Sequence, residues 1–436
     1  MTTSYTSVSR KFLFALAIAV AWASFSIWVA SYWLDSISNS VGFGLAVFLI
    51  AFIAIVPGFM NAFIYSSLLL DKRPHRYPLA RYPAISIIIA AYNEQGHILD
   101  TLRSIDKQQY PGELEIIVIN DGSRDATAQM VQEEQETNPH LVFINFEHNA
   151  GKAKALNAGL KQAKYELVVT LDADSYLYKD ALQRLVERYC SDPYTTRAVA
   201  GAIMVRNSRA NWMTAGQEWE YFHGIATVKR VQSLYQGTLV AQGAFSIYQK
   251  AALEKIGGWP NCVGEDIVLT WDLLKRGYRV GYCEDAIVFT TVPSTVRGFI
   301  RQRQRWARGM IEAFKAHPKV LFTRRKTTFF IWWDLLFPFM DIAFTFGFIP
   351  GLIMAMMGNY WLIGPMTLSL IPMALLINLL MYRTASKMFK AQGLRVRQNW
   401  VGFLFYLIPY AFILQPAAVL GYTSEIFGRR KTWGTK

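Results

Sequence analysis

Two apolar runs in this sequence end in carboxylates, and a further pair of acids follows a loop. LVVTLDADSY sets Asp172 and Asp174 on either side of Ala173, VINDGSRD ends on Asp121 before Gly122, and GGWPNCVGEDIVLTW places Glu265 and Asp266 after a loop rich in Gly and Pro. Carboxylates as close as Asp172 and Asp174 repel unless a cation shares them. A divalent ion carried on a diphosphate suits their hard oxygens; a solvated turn or a helix N-cap is the other reading. Asp121 has the placing of an acid that accepts from a base or ribose hydroxyl at a strand end, or of a simple Asp-Gly turn. Glu265 and Asp266 begin a predicted helix, where capping favours negative charge; a general base for an acceptor hydroxyl must also be an acid so held.

A second kind of chemistry lies in FIRQRQRWARGM, residues 299–310. If 299–313 is helical, Gln302, Arg305 and Trp306 share a face, while Arg301 and Arg303 point to either side. A basic belt at a membrane surface needs only the charge. A diphosphate leaving group needs a charge-assisted donor such as Arg305, and a sugar needs a flat apolar wall such as the Trp306 indole. One helix can serve both needs.

These residues must be held by a domain, and the composition says where it lies. Of 436 residues 53% are hydrophobic and 17% charged, so part of the chain meets lipid. Lys and Arg outnumber Asp and Glu by 45 to 31, a net +14. The basic residues gather at the ends of apolar runs, which excludes nucleic acid as a partner and points to membrane flanks. Cys190, Cys262 and Cys283 form no CxxC or metal spacing and fit a reducing compartment.

Residues 1–83 are expected to form an N-terminal membrane region with two transmembrane helices, near 12–33 and 41–70, with LDSISNS between them and a kink at Pro57 and Gly58. The basic DKRPHRYPLAR that follows puts the next residues in the cytoplasm. From 84 to 320, Ile- and Val-rich runs alternate with helical stretches, predicting an α/β domain with a mostly parallel, Rossmann-like sheet and its site at the C-terminal strand ends. No GxGxxG or Walker A sequence is present, so neither a dinucleotide nor a P-loop site is expected. Residues 321–436 are expected to be a C-terminal membrane region with two or three spanning or re-entrant segments: about 329–356, 361–382 and a Pro-broken 400–426, with a basic stretch at 384–399 and a basic tail held inside. Asp334 and Asp341, seven apart on one face, either line a sugar path, the use favoured here, or pair with a neighbouring helix.

Along one domain, in order, stand AYNE (91–94), NDGS (120–123), HNAGKAKALNAG (148–159), DAD (172–174), QGA (242–244), GED (264–266) and QRQRW (302–306). This series, with its flanking apolar runs, resembles the family 2 glycosyltransferases, specifically the membrane-embedded processive synthases of cellulose, chitin, hyaluronan and poly-N-acetylglucosamine. The resemblance implies a GT-A fold inserted between transmembrane helices and inverting transfer from a UDP-sugar, with UDP-GlcNAc favoured, to a growing β-linked polysaccharide that is moved across the membrane. By the same resemblance, Tyr92, Glu94 and Asp121 hold the nucleoside and Lys152 and Asp172 help place it. Asp174 binds Mg²⁺ or Mn²⁺, and Asp266, beside Glu265, is the base. Arg305 takes the phosphates, and Gly243, Gln302 and Trp306 face the acceptor.

Three departures stand out: Ala90 and Ala91 where the family often has Pro, Gly264 where it usually has Thr, and Gln242 where Ser or Cys is common. The implied setting is a bacterial inner membrane with the catalytic domain in the cytoplasm, membrane lipids around it and an accessory subunit as a further partner. With no room after residue 320 for a soluble cyclic-dinucleotide domain, such control would need that partner. Two other functions fit parts of the pattern: a single-sugar transferase acting on a lipid acceptor, and a non-enzymatic transporter or scaffold.

Overall fold

A computed structural model describes residues 6–72, 76–360, 399–407 and 409–429, with isolated positions between 361 and 398. The expected run 361–382, the stretch 384–399 and the tail beyond Arg429 fall almost wholly outside these.

The strands are β1 (Ile85–Ala91), β2 (Leu114–Asp121), β3 (Leu141–Phe146), β4 (Leu167–Leu171), β5 (Ser175–Leu177), β6 (Thr196–Val205), β7 (Phe245–Gln249) and β8 (Arg279–Thr290). They form one sheet in the order β3-β2-β1-β4-β7-β6-β8-β5. β3, β2, β1 and β4 run parallel, with Ile88 opposite both Ile117 and Thr170; β7 enters antiparallel against β4, and β6 and β8 are again parallel to each other. Helices cover both faces, which is why the strands read as continuous Ile and Val runs. Along β1, Ile85, Ile87 and Ile89 enter one core layer and Ile88 the other.

That second layer continues into the apolar helices, since Phe63, Phe330 and Trp333 share it with Leu156 and Tyr235. Among the described residues three helices are long and apolar enough to cross a membrane: Val8–Val41, Phe43–Leu70 and Lys326–Met356. The sequence-based break at LDSISNS is displaced. Those residues are helical, and the turn comes at Gly42, whose φ of 83° is open to glycine at no steric cost. Just upstream of Pro57 the backbone takes a π-helical turn, Ala51–Ile55, a common way to absorb a misfit in the hydrogen-bond ladder. The last apolar run is broken, as its prolines predict, into Trp400–Leu407 and Pro409–Ile426, which meet at 52°. Of the two uses expected of Asp341, pairing with a neighbouring helix is the one seen: its carboxylate accepts from the Tyr422 hydroxyl of the last helix at 2.8 Å.

Candidate active site

The loops that follow β1, β2 and β4 lie at one edge of the sheet and are tied to each other before any ligand arrives. Asn93, at a positive φ of 55°, donates its amide N–H to Ser123 Oγ (2.9 Å) and accepts from Arg124 N (2.9 Å), locking YNE to NDGS. Glu94 N donates to Thr127 Oγ1 at 2.7 Å, and Tyr92 stands 36% exposed beside them. Asp121 is buried, and its two oxygens accept from Ala150 N (2.7 Å) and Gly151 N (3.0 Å). Its carboxylate therefore shapes the HNAGK loop. Burial raises its pKa, and these amides oppose the rise.

Gly151 leads into the helix Lys152–Gln162, so Lys152 is delivered to the strand edge. Its Nζ donates to Asp172 Oδ1 at 2.6 Å and lies 3.8 Å from Glu265 Oε1. Burial pulls the ammonium pKa down, but Asp172 and Glu265 together carry it above the ordinary range. Burial, relieved by Lys152 and aggravated by Asp266, pushes Glu265 up to about 7. Gly243 completes this group, since a β-carbon there would stand 3.0 Å from Lys152 Nζ. The neighbouring DAD and QGA segments are joined by Asp172 N donating to Ala244 O at 3.2 Å.

Asp174 Oδ1 accepts from the Thr290 hydroxyl (3.1 Å) at the end of β8. Among the described residues no three His, Cys, Asp or Glu side chains gather as a closed metal cage. The donor set fits a different arrangement, in which Mg²⁺ or Mn²⁺ arrives on a diphosphate and needs one or two carboxylates, with Asp174 and Asp172 adjacent.

Glu265 and Asp266 open the helix Glu265–Lys275. Glu265 is buried, and Asp266 is partly accessible. The helix expected over 299–313 runs Val296–Ala316 and roofs the site. Buried Glu312 on this helix accepts from Gly264 N at 2.9 Å, holding the GED loop from above. Arg305 Nε and Gln302 Oε1 are buried without partners among the described residues, as is Gln242 Oε1 on the loop below. Buried, unspent polar atoms in one cleft suit a polar ligand. Trp306 remains 39% exposed, with the Arg303 guanidinium 3.9 Å from its ring centroid. The other face of this helix grips the last apolar helix. Arg303 bonds Glu220 and Tyr410, Arg308 reaches Glu425 at 3.3 Å, and Gly421 approaches Gln304 O so closely that a β-carbon would lie 2.6 Å away.

Two features escaped the sequence reading. Thr290, the partner of Asp174, gives no signal 116 residues away in the chain. Lys229, in the helix Val228–Leu234, looks like another basic flank but is buried and donates to Val240 O. Burial brings its pKa down to about 7, and Asp266 opposes that shift, which sets Lys229 within the field of the same site.

Comparison with known proteins agrees with this geometry. Residues 86–257 match the model for Glycosyl transferase family 2, and residues 250–317 that for a Chitin synthase-like glycosyltransferase domain. The chain is similar to the poly-beta-1,6-N-acetyl-D-glucosamine synthase of Staphylococcus aureus (strain MSSA476), 36% identical over 59% of this chain and 64% of that one. It is 38% identical to the Staphylococcus epidermidis enzyme of the same name over 56% of this chain and 58% of that one. The match thus spans less than two thirds of these relatives. Among solved structures, a mannosyltransferase from Pyrobaculum calidifontis in complex with GDP-Man and Mn²⁺ superposes with a TM-score of 0.60, covering 88% of this chain and 100% of that one at 22% identity; this likeness supports the GT-A fold.

Proposed function

We propose that this chain, whose core is a family 2 glycosyltransferase domain, is a membrane-embedded synthase that adds N-acetylglucosamine from UDP-GlcNAc to a growing β-linked polysaccharide. The observation that carries the reading is the meeting of Lys152, Asp172, Glu265 and Gly243 under a helix that presents Arg305, Gln302 and Trp306. That same helix is bound to the last apolar helix, which supports a reading in which the reacting end and the membrane region are coupled through one element. The relatives' names support the sugar.

In this mechanism Tyr92 and Glu94 line the nucleoside end, while Asp121 holds the loop that delivers Lys152. Asp174, with Asp172 beside it, would hold Mg²⁺ or Mn²⁺, which supplies charge neutralisation to the diphosphate. Asp266 takes the proton of the acceptor hydroxyl as its oxygen attacks the anomeric carbon from the face opposite the phosphate. The C1–O bond to the diphosphate breaks, UDP departs, and the configuration inverts. Arg305 meets charge developing on the leaving phosphates, where a guanidinium in a dry cleft acts most strongly. Glu265, at about 7, tempers the positive charge of Lys152. Trp306 offers the acceptor sugar an apolar wall. The lengthening product then passes outward along the apolar helices, with the catalytic domain at the cytoplasmic face of a bacterial inner membrane.

The test uses purified protein in nanodiscs with UDP-GlcNAc and Mg²⁺ or Mn²⁺, following UDP release and product size, with D266N as control. Long β-linked polymer, absent in D266N, is the expected result. Products bearing one added sugar would move the reading to transfer onto a lipid acceptor.

A further inference from the structure

Away from the catalytic cleft, a cavity of about 520 Å³ opens where two of the apolar helices begin. Its lining combines Arg324 and Lys326 with Phe12, Phe329 and Trp332, and the Thr328 hydroxyl beside them is held on Thr323 O at 2.8 Å. Phe12 stands in the second turn of Val8–Val41, directly after Arg10 and Lys11, and Lys326 is the first residue of Lys326–Met356. The cavity therefore sits at the level where both helices start, on the side of the sheet domain.

Its charge is one-sided. No acidic residue lines it, and the side chains of Arg324 and Lys326 have no ion-pair partner among the described residues. Arg325 forms the floor and spends its guanidinium on carbonyls, those of Leu274, Tyr278 and Gly277, each at 2.9 Å. Burial and the nearby Arg279 hold the Arg325 pKa below its ordinary value. Of the apolar part, Phe12 and Phe329 are half-buried against the core and Trp332 stands at the rim. Trp332 is 46% exposed and anchors its indole N–H on Leu321 O at 2.9 Å, an amphipathic placement suited to the boundary between headgroups and acyl chains.

We infer that this cavity binds the headgroup of an anionic phospholipid, with Arg324 and Lys326 on the phosphate and Phe12, Phe329 and Trp332 against the glycerol and upper acyl chain. The inference rests on the reading that these helices lie in a membrane. Its volume is within the range of small-ligand sites, and basic pockets between membrane helices take anionic headgroups for the same electrostatic reason.

Native mass spectrometry of the delipidated full chain in neutral detergent tests this. The protein is titrated with phosphatidylglycerol or phosphatidylcholine of matched chains, and separately with glycerol phosphate, which has the headgroup chemistry without tails. The expected result is phosphatidylglycerol binding about 25-fold tighter than phosphatidylcholine, roughly fivefold for each of the two basic residues, with that preference lost in R324A/K326A. UDP binding by that variant reports that it is folded. R297A/R301A, which removes two exposed cations from another helix, should keep the preference. Equal binding of the two lipids, an unchanged preference in R324A/K326A, or equal loss in R297A/R301A would overturn the site. Displacement of lipid by glycerol phosphate would assign the cavity to a soluble phosphate instead. Retention of neither lipid would overturn membrane embedding itself, and the site with it.

Discussion

Gly264 and Gly309 touch backbone to backbone: a β-carbon on Gly264 would stand 2.4 Å from Gly309 Cα, and one on Gly309 would stand 2.7 Å from Gly264 Cα. This contact sets the helix Val296–Ala316, with Arg305, directly on the loop that delivers Glu265 and Asp266. No side chain fits at Gly264 beneath Gly309 without moving the helix.

Gly264 has a φ of −103°, open to any residue, so the cost of filling it is steric. G264A should lower stability by about 1–3 kcal/mol, seen as an earlier thermal unfolding transition, and G264T should be worse. Because the base and Arg305 are pushed apart, turnover should fall further than stability alone dictates. Normal turnover and unfolding in G264T would show that the two segments can separate freely.

The two acids of the proposed chemistry should separate kinetically. D266N should lose about 10²–10⁴-fold in turnover while binding UDP nearly as well as the parent, since the base acts on the acceptor. D174N should instead weaken binding of UDP in Mg²⁺ or Mn²⁺ and leave metal-free binding alone. Isothermal titration with and without metal, beside initial rates, distinguishes them; identical behaviour of the two variants would reject the division of roles.

Glu265 predicts a pH signature in stability. Its folded pKa of about 7 lies above its ordinary 4.5, so between those values the folded chain binds a proton that the unfolded chain has lost. Stability from this group is therefore full below about 4.5 and declines as pH rises towards about 7. Thermal unfolding at steps across this window should show the decline, and E265Q should flatten it. A parent curve rising through the window with E265Q superimposed on it would contradict the assignment.

The sheet was legible because its strands are buried on both faces and so spell Ile and Val without interruption: ISIIIAA, LEIIVIND and LVVTL each became strands. The acids at their ends were legible for the same reason, since a carboxylate after such a run has nowhere to go but the C-terminal edge. What the sequence withheld is contact between distant segments. Asp121 reads like a ligand-facing acid, and its two oxygens also accept from Ala150 N and Gly151 N of a loop some thirty residues on. Arg303 reads like surface charge, yet it is buried against Glu220 and Tyr410. Neither partner lies within helical or strand spacing, so no local pattern marks them. The break at Gly42 was misplaced because LDSISNS is polar enough for a loop but contains no residue that forbids a helix.

The Arg303–Glu220 pair yields a stability prediction distinct from catalysis. R303A leaves the Glu220 carboxylate buried without its cation, which should cost about 3–5 kcal/mol. R303M with E220Q removes both charges and should recover most of that loss in thermal unfolding. If the double variant is no better than R303A, the arginine acts through its packing on Trp306 and Phe299, at 3.9 Å and 4.7 Å, more than through the ion pair.

Arg305 is the sharpest test of why the basic helix has its spacing. Were it only a membrane-facing charge, lysine would serve as well, because both carry one positive charge and a long apolar stem. Its Nε is instead buried without a partner among the described residues, within the field of Lys152 and Glu265, a position where a planar fork can meet two phosphate oxygens and a lysine cannot. R305K should therefore lose about 100-fold in turnover while keeping the parent's partition into nanodiscs. R301K, a change at an exposed position on the same helix, should be silent in both. The ratio of the two turnover losses measures chemistry against charge: a large ratio assigns Arg305 to the leaving group, and a ratio near one returns the whole helix to the membrane surface.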